Sequence, residues 1–200
     1  MKTINTYIQE KLFVKKKTYN YFPKTKEELQ DIIEQLIQER GNEGDFNDID
    51  TSEITDMSDL FLNINDFNGN ISEWDVSNVT NIGRMFFYCK SFNQPLNNWD
   101  VSNVTNMCWM FYNCRSFNQD LSNWNVSNVT SMESMFRICE SFNQPLDNWD
   151  VSKVTNMNQM FRDCKSFNQD ISGWDASKVL DKKAMFADCP IEKKYKPKFK

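Results

Sequence analysis

The chain has 200 residues, a net charge of −5 and no histidine. That acidic balance argues against a nucleic-acid-binding body, and the lack of imidazole removes Ser-His-Asp and Cys-His catalysis, His-liganded zinc and a histidine pH switch. Mean hydropathy is low at -0.67, yet 40% apolar and 14% aromatic residues with only 5 Gly and 5 Pro are enough to fill a core.

The first stretch, 3–12, places Ile4, Tyr7, Ile8 and Leu12 on one side of a short amphipathic helix. Lys2 is followed by no apolar run of the ~7–15 residues that a secretory signal needs, no early Cys could take a lipid anchor, and nothing approaches the ~20 apolar residues of a membrane span. If Met1 is the true start, these features favour a cytoplasmic or virion-associated protein over an exported surface protein. Lys11, Lys15, Lys16 and Lys17 read as a solvated end. A polar, aromatic linker with Tyr19, Tyr21, Phe22 and Pro23 leads to a stronger helix signal. Thr25 is an N-cap and Glu28 completes a capping box. Leu29, Ile32, Ile33, Leu36 and Ile37 make one apolar stripe, and Gly41 stands where a helix-ending glycine belongs. Residues 1–41 therefore read as an N-terminal helical segment and cap, its stripe covering the open end of residues 42 onward.

From 42 to 190 the chain repeats every 25 residues. Phe67, Phe92, Phe117, Phe142 and Phe167 stand in register, as do Trp74, Trp99, Trp124, Trp149 and Trp174, and Cys89, Cys114, Cys139, Cys164 and Cys189. A degenerate first unit puts Phe46, Ile49, Ile54, Met57, Leu60, Phe61 and Ile64 in the same columns, which makes six units. Repeats of this length are coils of a solenoid, each burying its apolar face against its neighbours. Pro95 and Pro145 alternate with Asp120 and Asp170, a sign of two-unit duplication.

Within one unit, Met107, Met110, Phe111 and Cys114 have the i, i+3, i+4, i+7 spacing of a short helix, with Thr105 ahead as its N-cap and Thr55, Thr80, Thr130 and Thr155 in the matching places. Trp99 and Val101 alternate with polar neighbours, which predicts a short strand within 95–101 and a parallel ladder at ~4.8 Å spacing. The expected fold is an α/β solenoid of about six coils with one short parallel strand and one short helix in each. The last unit has Leu180 for the Thr, Lys182 for the Met and Ala176 for the Val, as a terminal coil would. Residues 191–200 are a basic tail whose Ile191, Tyr195 and Phe199 could fold over the open end.

The repeated columns are read as scaffold. The cysteine column lacks Cys-x-x-Cys spacing and packs as small buried thiols, too far apart for ready disulfides; Cys108 lies outside it, at an exposed position open to oxidation. The column of Asp50, Asp75, Asp100, Asn125, Asp150 and Asp175 either holds calcium or, better given Asn125, accepts backbone hydrogen bonds in a turn. Asn68, Asn93, Asn118, Asn143 and Asn168 form a ladder of buried amides. No cofactor, catalytic or metal residue is expected. What varies between units is the outward surface of the helical half, where Phe87, Tyr88, Trp109, Tyr112, Arg137, Ile138 and Arg162 gather aromatics with arginine, the composition of interface hot spots. The strand half, with Asn97, Asn98, Ser122, Asp147, Asn148 and Gly173, is a polar surface that could take peptide or glycan.

The string from Phe92-Asn93-Gln94-Pro95-Leu96 through Trp99-Asp100-Val101-Ser102-Asn103-Val104-Thr105-Asn106-Met107 to Met110-Phe111 and Cys114 resembles the BspA-type leucine-rich-repeat family, in the branch described as a mycoplasma-type domain of unknown function. Thr25-Lys26-Glu27-Glu28-Leu29 and the run from Ile49 to Met57 resemble that family's opening segment. The resemblance implies a right-handed leucine-rich-repeat-like solenoid and a role in protein binding or adhesion, usually on a surface. The alternative is a structural or assembly protein of a virion or intracellular complex.

Overall fold

The computed structural model describes residues 17–199. The amphipathic pattern over 3–12 and Lys11, Lys15 and Lys16 lie outside the described residues.

Helix α1 spans Lys26–Arg40. Thr25 Oγ1 accepts from the Glu28 N–H at 3.2 Å, while Glu28 Oε2 reaches past the cap to the Lys24 N–H at 2.6 Å. The helix ends at Gly41, whose φ of 74° suits a glycine and whose N–H returns to the Ile37 carbonyl at 2.9 Å. Leu29, Ile33 and Leu36 are buried, with Ile32 and Ile37 at the margin of the same core. Ahead of the helix, Tyr21 pairs in parallel with Ile49, and its carbonyl accepts from the Asp50 N–H at 2.8 Å. Arg40 grips Asp48 through two hydrogen bonds of 2.7 and 2.9 Å and holds that carboxyl below the usual carboxylate range.

The repeat closes differently from the spacing's prediction. No helix forms over 107–114; the segment is a run of β-turns. The N–H groups of Met110, Tyr112 and Cys114 fold back three residues, to the carbonyls of Met107, Trp109 and Phe111 at 3.3, 3.1 and 3.0 Å. Those of Met107, Trp109, Phe111 and Asn113 cross instead to Ser131, Glu133, Met135 and Arg137 in the next unit, at 3.2, 2.8, 2.9 and 2.8 Å. An α-helix would spend all of these donors on its own carbonyls four residues back. Turns satisfy the burial pattern equally well: Met107, Met110, Phe111 and Cys114 are all buried. The first and last of these turns take a left-handed residue at their third position. Trp109 at φ 62° and Asn113 at φ 60° supply it, and Asp59, Asn63, Arg84, Tyr88, Ser134, Ile138, Gln159, Asp163, Ala184 and Asp188 do so in the other units.

The expected ladder over 95–101 is displaced as well. Parallel bridges run from Asp56 to Asn81, Asn106, Ser131, Asn156 and Asp181, while around Trp99 the backbone turns, its N–H going to Leu96 at 3.1 Å. The threonines expected as helix caps are rungs of this ladder. The Thr105 N–H and Oγ1 both bond the Thr80 carbonyl, at 2.9 and 3.2 Å, and Thr80, Thr130 and Thr155 do the same one unit along.

One apolar core runs from Leu29 to Ile191. Two phenylalanine files fill it: Phe61, Phe86, Phe111, Phe136 and Phe161 stack on one another at 5.5–5.6 Å, each also against the Phe six residues later. The five tryptophans of the repeated column, Trp74, Trp99, Trp124, Trp149 and Trp174, are buried and donate Nε1 to the carbonyl 28 residues earlier, as Trp124 does to Leu96 at 2.9 Å. The thiols of Cys89, Cys114, Cys139 and Cys164 behave alike, donating to Phe61, Phe86, Phe111 and Phe136 at 2.8–3.0 Å, and burial pushes all four up. The asparagine ladder exists, with Oδ1 of each accepting from the next unit's N–H at about 2.9 Å, but it lies at the surface: Asn93 and Asn118 are exposed.

The acidic column makes Asx turns. Asp50, Asp75, Asp100, Asn125, Asp150 and Asp175 each accept from the N–H of the serine two residues on, at 3.0–3.2 Å. The serine hydrogen bonds hold Asp100 and Asp150 below the usual range. At the far end the tail folds back. Ile191 is buried, the Glu192 N–H extends the asparagine ladder to Asn168 at 2.9 Å, and the Tyr195 carbonyl, in a 3-10 turn at Lys193–Tyr195, accepts from Ile171 at 3.0 Å.

Candidate functional site

The turn run displays the varying side chains, and what they do depends on the column. Positions 87, 112, 137 and 162 occupy one column and hold Phe, Tyr, Arg and Arg; positions 88, 113, 138 and 163, each at positive φ, occupy the next. Four of the seven sequence-selected residues form a single aromatic cluster. Phe87 stacks on Tyr112 at 4.8 Å and 14°, Tyr88 and Trp109 lie 5.4 and 5.3 Å from the same ring, and Phe87 meets Tyr88 at 4.8 Å and Trp109 at 6.0 Å.

The cluster is less exposed than an outward helix face would be. Tyr112 is 8% exposed and sits beneath its neighbours; Phe87, Tyr88, Trp109, Arg137, Ile138 and Arg162 are half-buried. Successive units place the same column one above another, so large rings there stack instead of projecting. Arg137 continues the pile, its guanidinium 5.2 Å from the Tyr112 ring centre and one terminal nitrogen bonded to Gln159 Oε1. Burial pushes the Tyr112 phenol up, with the Arg137 charge pulling the other way. Arg162 turns to Asp163 at 3.4 Å. The structure thus brings Phe87, Tyr88, Trp109, Tyr112 and Arg137 together and leaves Arg162 in a separate ion pair.

Ile138 sits against the preference of its backbone. A β-branched residue at φ 61° is strained by about 1–2 kcal/mol relative to a residue that tolerates this region, and the equivalent places hold Asn63, Asn113, Asp163 and Asp188, with Tyr88 as the other exception. Ile138→Asn is expected to raise stability by about 1 kcal/mol, read as a higher urea midpoint at unchanged slope; an unchanged or lower midpoint would show that the isoleucine side chain makes contacts worth more than the strain.

Beside the aromatic cluster is an open pocket of about 440 Å³ lined by Ser58, Asn81, Gly83, Arg84, Phe87, Asn106, Cys108 and Trp109. Its floor is the ladder's amides: Asn106 Nδ2 donates to Asn81 Oδ1 at 2.8 Å, and each Oδ1 caps the N–H two residues on at 3.0 Å. Arg84 forms one wall, paired with Asp59 at 3.0 and 3.1 Å. Asn81, Arg84 and Asn106 are absent from the sequence-based selection. Gly83 was the available signal: its column holds Ser58, Cys108, Glu133, Asn158 and Lys183 in the other units. Cys108, expected to be exposed and oxidisable, is half-buried. Its thiol lies 2.8 Å from Ser131 Oγ, and burial pushes it up, away from the thiolate. Of the polar surface expected of the other half, Asp147 and Gly173 line an open pocket of about 360 Å³ together with Pro145, Gln169, Asp170 and Ser172.

A family model described as a Mycoplasma protein of unknown function, DUF285, matches residues 28–139 and, overlapping them, 97–196. No curated protein and no solved structure matches the chain. No described helix is long and apolar enough to cross a membrane.

Proposed function

Since the chain belongs to the DUF285 family of Mycoplasma proteins of unknown function, we propose that it is a non-catalytic binding module, with protein as the partner class and adhesion as one use of it. The observation that carries this reading is the aromatic cluster of Phe87, Tyr88, Trp109 and Tyr112 bordering the pocket at Arg84. Rings and arginine gathered at a half-buried surface supply anchoring area at low entropic cost. The cluster lies where the columns depart from the repeat, so scaffold needs alone do not account for it. The lack of histidine closes Ser-His-Asp and Cys-His chemistry to this chain.

The architecture we assign to this module is a right-handed, leucine-rich-repeat-like solenoid of the BspA type. The 25-residue period and the parallel bridges from unit to unit support it. Handedness and the link to leucine-rich repeats rest on the resemblance.

Affinity capture tests the site. Phe87→Ala and Trp109→Ala, each checked for an unchanged thermal midpoint, are expected to weaken a partner by about 30-fold or more, the effect of losing a hot spot of ~2 kcal/mol. A partner retained in full by both variants would remove the site. The second reading, a structural or assembly component of a virion or intracellular complex, draws on the opposite charge of the two ends of the stack and on the open backbone of the sixth unit.

A further inference from the structure

The interior junctions between units all have one polarity over the turn run. In the fifth unit, the N–H groups of Met157, Gln159, Phe161 and Asp163 donate to the carbonyls of Asp181, Lys183, Met185 and Ala187 at 2.8–2.9 Å. No seventh unit follows the sixth among the described residues. The corresponding N–H groups of Lys182, Ala184, Phe186 and Asp188 find no acceptor among the described residues. The tail closes the other half of this end, through Ile171–Tyr195 and Asn168–Glu192, and passes the turn run only by side chains, with Lys196 over Phe186 and Lys182 against Phe199. The end is therefore a row of backbone donors without matching acceptors. It cannot pair with a copy of itself, because both sides would offer N–H.

Charge marks the same end. From 178 to 200 the sequence holds eight lysines against Asp181, Asp188 and Glu192, whereas from 27 to 66 it holds thirteen Asp and Glu against Arg40 alone. The acidic stretch begins with α1, which caps the first unit. Glu27, Asp31 and Glu34 are exposed, and their i, i+4, i+7 spacing puts them on one outer stripe, opposite the buried Leu29, Ile33 and Leu36. Carboxylates accept hydrogen bonds without donating any, which is what the far end lacks.

We propose that the chain associates head to tail with a second copy of itself, the basic, donor-rich end of one protomer seated on the acidic outer face of α1 of the next. The contact is heterologous, so it leaves a free end of each kind and extends into a linear assembly unless its rotation closes a ring. It is independent of the aromatic cluster, which lies on the side of the stack.

Sedimentation equilibrium on the full chain tests this at low ionic strength, where screening is weak. The wild type is expected to give concentration-dependent mass above the monomer that collapses in ~1 M salt. Lys183→Glu with Lys198→Glu, and separately Asp31→Lys with Glu34→Lys, change exposed residues and are each expected to weaken association at least about tenfold, with helical signal and thermal midpoint retained. Mixing the two doubly substituted chains is expected to restore association, since each then carries an end complementary to the other. A wild-type monomer at all concentrations overturns the proposal, as does association that survives both charge reversals or a mixture that stays monomeric. A wild type that stays monomeric while its basic end binds a glutamate-rich peptide would likewise overturn it, showing that the end serves a foreign acidic segment.

Discussion

Trp124→Ala is expected to lower unfolding free energy by about 3–5 kcal/mol, the range for truncating a large buried aromatic. Three losses coincide at this residue, which is 3% exposed. The indole leaves the stack between Phe111 at 6.4 Å and Trp149 at 6.5 Å. A cavity opens between two units that the phenylalanine files hold apart, so it cannot collapse locally. The Leu96 carbonyl also loses the Nε1 donor at 2.9 Å. Trp124→Phe separates these effects, since it keeps much of the ring volume and removes the donor; its cost should fall to the roughly 1–3 kcal/mol of an orphaned buried acceptor plus a smaller cavity. Urea denaturation measures both. A loss below about 1 kcal/mol for Trp124→Ala would show that the tryptophan column does not bear on the core.

Leu36→Ala should cost about 2–5 kcal/mol, although the residue belongs to the cap and not to the repeat. Leu36 is fully buried, and with Leu29 and Ile33 it closes the core over the first unit. In a stack, loss of an end cap exposes the apolar face of the adjoining unit and not of remote ones. Hydrogen exchange is therefore expected to show the Asp50 and Met57 amides deprotected well before those of Thr155 and Met157. Uniform loss of protection along the chain would mean that the stack opens as one cooperative block and that the cap has no local role.

The core was readable in the sequence almost column by column, because burial depends on side-chain chemistry and period. Phe111, Met107, Trp99 and Cys114 lie where the repeat puts them. Helix α1 was equally plain, since Thr25, Glu28 and Gly41 act within a single segment. The conformation of each unit was not. Met107, Met110, Phe111 and Cys114 give the same buried face as a helix or as three successive turns, and the choice falls to N–H groups that bond a residue about 24 positions away. No local signal reports that partner. The site was half legible for the same reason: composition picked out Phe87, Tyr88, Trp109 and Tyr112, but the stacking that buries Tyr112 arises from the spacing of units. Arg162 shares the column and goes elsewhere, drawn by Asp163.

The alternation of donors in the turn run also limits how the gene for such a chain can change length. Half of the donors in each run bond within their own unit and half bond its successor, so every unit is a template for the next one. Removing or adding a whole 25-residue segment would leave each surviving junction with the same donors facing the same carbonyls. A change by anything but a whole number of units would break the register, setting phenylalanines and N–H groups against the wrong partners. The array can thus lengthen or shorten by recombination between its own near-identical segments, in steps of one unit or, in keeping with the alternation of Pro95 and Pro145 with Asp120 and Asp170, of two.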